Sequence, residues 1–142
     1  MTAASAPPSS GGNADPRWLG SYPENVDWHQ EFTPEPLYVI LDQAVARHGS
    51  KPATNFLGKT LTYDDLGALV ERAAAGLQRL GVQKGTKVGL FLPNSATFII
   101  YYFAILKVGG IVVNFNPLYT VEELAFQVRD SQTEIMVTLD LK

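Results

Sequence analysis

The segment Gly81-Val-Gln-Lys-Gly-Thr-Lys87 holds the residue types of a phosphate loop. Glycine amides could cradle phosphoryl oxygens, a lysine could neutralise their charge and a threonine could reach a metal ion. The spacing does not suit that work. A Walker loop needs four residues between its glycines, then Lys and Ser/Thr, after a strand and ahead of a helix. Here three residues separate Gly81 from Gly85, and the segment leads from a helical pattern into a strand pattern, so it reads as a helix C-cap followed by a tight turn. A dinucleotide loop is missing as well. The turn Leu92-Pro-Asn-Ser95 stands where one would be, but proline removes an amide donor and no glycine lets the backbone approach a pyrophosphate.

The remaining candidates resolve the same way. His29 lies in an aromatic stretch and His48 near a helix end, where the dipole favours it, and neither has carboxylates at metal-ligand spacing. Asp64-Asp65 and Glu122-Glu123 fall in first helical turns, where negative charge is favoured, and adjacent helical residues point in different directions. Ser95 precedes a helix and reads as a cap, with no base to activate it. Tyr101-Tyr102-Phe103 could wall an acyl chain, but consecutive aromatics on a helix more simply join two layers of core. No catalytic, cofactor-binding or metal-ligating residue is assigned.

The elements that would position such groups follow from periodicity. Residues 1 to about 14, rich in Ala, Ser, Pro, Gly and Asn, are expected to be disordered. Trp18 to Phe32 is aromatic without a period and reads as an extended arm, so that residues 1–32 form a tail and arm and 33–142 the folded body. Thr33 is expected to cap a first helix with Pro34 and Pro36 in its first turn and Gly49 at its end. A hairpin turning at Gly58-Lys59 in type II′ geometry should follow. A second helix carries Leu66, Val70, Ala73 and Leu77 at helical spacing and stops at Gly81. Strands at 87–92, 111–115 and 134–139 alternate with a nearly all-apolar helix from about Ser95 to Val108 and a helix opened by the capping box Thr120-Val-Glu-Glu123. This βαβαβ order predicts an α/β fold, a parallel sheet with helices on its faces, preceded by a helix and a hairpin.

Composition narrows the function classes. The net charge is −3 and the charges are dispersed, which excludes the basic face of a nucleic-acid binder. There are no cysteines, hence no disulfides or thiolate sites, in keeping with a reducing cytoplasm. The start lacks the basic and apolar regions of a secretory signal. The most apolar run, Phe98 to Leu106, is far short of the roughly 20 residues that span a bilayer.

Four segments together resemble a known family. Trp18-Leu-Gly-Ser-Tyr-Pro23 is similar to the lead-in of bacterial long-chain fatty acid–CoA ligases. Leu61-Thr-Tyr-Asp-Asp-Leu66 resembles the first core motif of the adenylate-forming, or AMP-binding, superfamily, and Lys87-Val-Gly-Leu-Phe-Leu-Pro-Asn94 the strand and turn after it. The most specific segment, Ile105 to Leu124 with Asn116-Pro-Leu-Tyr-Thr120 inside it, resembles the second core motif in its fatty-acyl form. The resemblance implies the amino-terminal part of a larger enzyme that joins a fatty acid to coenzyme A through an acyl-adenylate, using ATP and Mg2+. It places the phosphate loop, the ribose-binding aspartate and the catalytic lysine beyond residue 142, so the segment alone is expected to bind none of these cofactors productively and to be inactive. It also leaves peripheral membrane association open, and surfaces normally covered by the rest of the chain should drive self-association. The alternatives are an aryl or short-chain acyl-CoA ligase of the same superfamily and a non-catalytic α/β binding or interaction module. The chain's stop just after a strand, without a capping helix, argues against the module.

Overall fold

The computed structural model describes residues 17–140. The disorder expected for residues 1 to 14 lies outside the described residues. The chain divides into two compact units, one ending at Pro34 and the other beginning at Glu35.

In the first unit, Arg17–Ser21 forms a short 3-10 helix. Trp18 packs edge-on against Trp28 with ring centroids 4.5 Å apart, and Tyr22 lies 5.9 Å from Trp18. Such edge-to-face contacts put positive ring edges against negative faces.

The second unit begins with helix α1 (Tyr38–His48) and the hairpin strands β1 (Pro52–Phe56) and β2 (Lys59–Thr62). Helix α2 (Tyr63–Arg79), strand β3 (Lys87–Phe91), helix α3 (Ala96–Lys107), strand β4 (Ile111–Asn114), helix α4 (Val121–Ser131) and strand β5 (Ile135–Thr138) follow. The α/β architecture read from the sequence is the observed one. β4, β3 and β5 form a parallel sheet in that order, with Val88 opposite Val112 on one side and Ile135 on the other.

Two local expectations are corrected. The first helix begins at Tyr38 rather than after Thr33, and its N-cap, Leu37, makes no side-chain bond. A residue before proline is pushed out of the helical region by the proline ring. Thr33 and Glu35 both precede prolines, which delays the helix. The hairpin turns one residue earlier than expected, at Leu57-Gly58 with φ of 49° and 79°, a pair of positive angles that defines type I′ rather than II′. Gly49 does follow α1, but in right-handed conformation. A Cβ there would meet the Asp64 carboxylate, an exposed side chain that can turn aside.

One core holds the unit together. Leu66, Val70, Ala74 and Leu77 line the inner face of α2, and meet Ala104 and Ile105 of α3 and Val88 and Leu90 of β3. Residues 88 and 90 share one face of the sheet because strand side chains alternate. The other face is reached by Gly89, over which lie the Phe115 ring and the Thr133 side chain. β3 connects to β4 on one side, and β4 connects back past β3 to β5. Right-handed crossovers running in opposite directions set α3 and α4 on opposite faces.

Side chains at the ends secure these elements. Thr62 and Asp65 form a complete capping box on α2, and Thr120 and Glu123 form one on α4. Lys107 Nζ, in the last turn of α3, reaches Asp42 Oδ1 of α1 at 2.7 Å and also pairs with Glu71 of α2, so one cation ties three helices.

Candidate functional site

In a parallel sheet the carboxyl ends of the strands open where neighbouring connections leave in opposite directions, and ligands favour that crevice. Here that place is the carboxyl end of β3. A cleft of about 620 Å³ lies there, between the turn Leu92-Pro-Asn94 and the segment Asn114 to Tyr119 after β4, with Phe98 of α3 on its wall. β3 and β4 put both segments side by side, because Leu90 pairs with Asn114 and the Phe115 amide donates to the Leu90 carbonyl at 3.0 Å.

The loop is shaped by its own hydrogen bonds. Asn116 Oδ1 accepts from the Leu118 amide at 3.0 Å, and the Asn116 carbonyl accepts from the Tyr119 amide at 3.0 Å. This Asx geometry is the usual reason for asparagine at a turn start. Gln127 of α4 donates from Nε2 to the Asn114 carbonyl at 2.9 Å, holding the helix against the strand end. The lining offers asparagine amides, aromatic rings and the Tyr119 side chain, without a lysine, arginine or histidine. A triphosphate needs cations or a run of free amides to offset its charge. The residues present therefore do not fit the phosphates of ATP, and no chemical step is derived through them.

Each candidate from the sequence can now be placed. Gly81 and Gly85 adopt φ of 90° and 89°, which glycine reaches without steric cost. Their amides donate to the carbonyls of Gln78 and Gly109, so this is a helix stop and a turn, and the Walker-like spelling has no phosphate cradle behind it. The Thr86 hydroxyl accepts from the Gln83 amide at 3.1 Å, closing the same turn. Ser95 Oγ accepts from the Phe98 amide at 3.3 Å as the N-cap of α3. His48 rests near Tyr63 with ring centroids 6.0 Å apart. The backbone amide of His29 donates to Asp27 Oδ1 at 2.9 Å. Tyr101, Tyr102 and Phe103 are half-buried against the core and lie outside the cleft. Among the described residues, no group of three or more His, Cys, Asp or Glu side chains could hold a metal ion, and no helix is long and apolar enough to cross a membrane.

Among the described residues, two ionisable side chains are moved by the fold, both through structural contacts. Hydrogen bonds from the Thr62 backbone and hydroxyl hold the Asp65 carboxyl below the usual range, against a small opposing effect of burial. At Lys107 burial works against the charge, but the hydrogen bonds and charges of Asp42 and Glu71 outweigh it, and the pKa rises above the ordinary lysine value. Sequence reading missed this clamp. Asp42 and Lys107 are 65 positions apart, and no short-range pattern connects them.

Comparison with known proteins agrees with this fold. A sequence model described as "AMP-binding enzyme" matches residues 41–142. The chain is 42% identical over 124 residues to a long-chain-fatty-acid–CoA ligase of Bacillus subtilis (strain 168), covering 87% of this chain and 22% of that protein. It is also 42% identical over 81 residues to 4-coumarate–CoA ligase 5 of Oryza sativa subsp. japonica, covering 57% of this chain and 15% of that one. Among solved structures, the N-terminal domain of FACL13 from Mycobacterium tuberculosis superposes with a TM-score of 0.69 at 27% identity, over 72% of this chain and 26% of that one. The chain thus spans about a fifth of the length of the Bacillus relative.

Proposed function

The chain belongs to the AMP-binding enzyme family, and we propose on that premise that it is the amino-terminal part of an ATP-dependent long-chain fatty acid–CoA ligase. In the parent enzyme a fatty carboxylate displaces pyrophosphate from ATP to give an acyl-adenylate, and the thiol of coenzyme A then displaces AMP to give the acyl-CoA. Residues 1–32 are a tail and arm in this reading, and 33–142 the first part of the large domain. The observation that carries it is the 42% identity to a protein of that name across 87% of the chain, a stretch that includes the strand ends and loop of the cleft.

The segment itself supplies scaffold. Its cleft has no cationic lining, the Walker-like amides are engaged in turns, and we assign it no catalytic, cofactor-binding or metal-binding residue. ATP, Mg2+ and coenzyme A are bound by the remainder of the parent, which functions in the cytoplasm with peripheral access to membranes. Leu118 and Phe126, 87% and 64% exposed, are apolar surface that the rest of the parent would cover, and in this reading their exposure drives the separate segment to self-associate. The test is exchange of labelled pyrophosphate into ATP. The longer enzyme should show it with long-chain fatty acids, and the 142-residue chain should show none.

The rice relative's name supports a second reading, an aryl-CoA ligase. Exchange that is fastest with a cinnamate-like acid rather than with a fatty acid would select it.

A further inference from the structure

We propose that the tip of the β1–β2 hairpin is a contact for an anionic lipid bilayer, with Leu57 entering the apolar layer and Lys59 meeting the headgroups. The first observation is a residue at odds with its turn. Leu57 has φ of 49° and Gly58 φ of 79°, the type I′ pair that favours Asn-Gly. In that region the Cβ of an ordinary residue crowds the neighbouring carbonyl, and asparagine tolerates it far better than leucine. Leu57 is nevertheless 91% exposed, and the adjacent Phe56 is 40% exposed, so no burial within this chain offsets the unfavourable conformation.

The second observation is charge. Phe56 pairs with Lys59 across the turn, and the charged residues between Ser50 and Thr62 are Lys51 and Lys59, with no acid among them. Beside the tip, a cleft of about 300 Å³ has Phe56, Leu61, Leu69 and Ile100 on its walls, Lys59 at its edge and no carboxylate in its lining. An apolar projection with a cation beside it and no nearby anion is complementary to a surface that is apolar within and negative at its rim. An acidic protein surface would also answer a cation beside an apolar tip; the bilayer is the occupant proposed because the acyl substrate of the ligase reading partitions into it.

The inference deepens the membrane-access part of the ligase reading and rests on that reading for its purpose, since a long acyl chain partitions into bilayers. Co-sedimentation with vesicles of phosphatidylcholine and phosphatidylglycerol, against phosphatidylcholine alone, tests it in the 142-residue chain and in the longer enzyme. Both proteins should bind the anionic vesicles more tightly. Leu57→Asn should weaken that binding about ten-fold, from the lost apolar insertion. Lys59→Gln should weaken it about five-fold on anionic vesicles and leave neutral ones unaffected. Leu57→Asn suits the turn, so an unchanged or raised melting temperature will show that its lost binding is not lost folding. Equal binding by Leu57→Asn and the parental sequence would overturn the proposal, as would equal binding to both vesicle types or no vesicle binding at all. Self-association that depends on Leu57 without vesicle binding would assign the tip to a second copy and overturn it too. The ligase reading fails separately, in the pyrophosphate exchange assay, where no vesicles are present.

Discussion

Gly89 of β3 lies under the ring of Phe115, and a Cβ placed on Gly89 would stand 2.7 Å from Phe115 Cε2 and 3.1 Å from Thr133 Cγ2. The glycine is required by close approach, because Phe115 is 3% exposed and closes the second face of the sheet beside the cleft. Gly89→Ala is expected to destabilise the chain by about 1–3 kcal/mol through overpacking. Urea denaturation reads this as a lower midpoint with an unchanged slope. Adding Phe115→Leu should recover part of the loss, since the two side chains share one space, and strictly additive losses would disprove the contact.

The Lys107 clamp gives a second prediction. Lys107→Met should lower stability by about 1 kcal/mol or less, because both of its acidic partners are well exposed to solvent. Since folding raises the lysine's pKa, its contribution is fully present below the ordinary lysine value and is lost as pH rises through the raised one. Melting temperature followed from neutral to strongly alkaline pH should therefore fall more steeply for the parental chain than for Lys107→Met. Parallel curves would count against the clamp.

Capping supplies a third. Thr120→Ala removes the acceptor for the Glu123 amide and should cost about 1 kcal/mol, with faster amide exchange confined to the first turn of α4. On α2 the effect is tied to pH. Folding lowers the pKa of Asp65, so its contribution is present above the ordinary carboxyl value and is lost as pH falls through the lowered one. Asp65→Asn should flatten the acid limb of the stability profile, and an unaltered limb would argue that the box does not form in solution.

A fourth prediction concerns activity. The isolated chain is expected to give no ATP–pyrophosphate exchange above background, because the cleft at the end of β3 lacks cations and the Phe115, Leu118 and Tyr119 amides beside it are engaged internally. Exchange by the purified 142-residue chain, abolished by Asn116→Ala, would place nucleotide chemistry in the segment and refute the scaffold reading.

Local chemistry determined most of the elements from the sequence alone. The α2 positions Leu66, Val70 and Leu77 are buried as a 3.6-residue period requires. The capping box at Thr120 is decided by residues three apart. Alternation of strand and helix implied the parallel sheet, and the run from Ile105 to Leu124 carried the family. Where local rules compete, sequence reading was less exact. Pro34 and Pro36 suit a helical first turn by their own φ, yet they push the residue before each of them out of the helix, and α1 starts at Tyr38. At the hairpin, glycine alone suggested II′, whereas the strand register, Phe56 opposite Lys59, places Leu57 in the turn and makes it I′.

Only the tertiary structure decided what depends on positions far apart in the chain. Asp42, Glu71 and Lys107 come from three helices and meet because those helices pack on one core. Gly89 and Phe115 meet because β3 and β4 are neighbours in parallel register. The cleft joins the ends of those strands for the same reason, and its uncharged lining emerges once both ends are placed together. Periodicity and capping act over a few residues of the backbone and are written locally. Contacts between elements depend on how whole faces pack, and that is settled by burying the apolar stripes together.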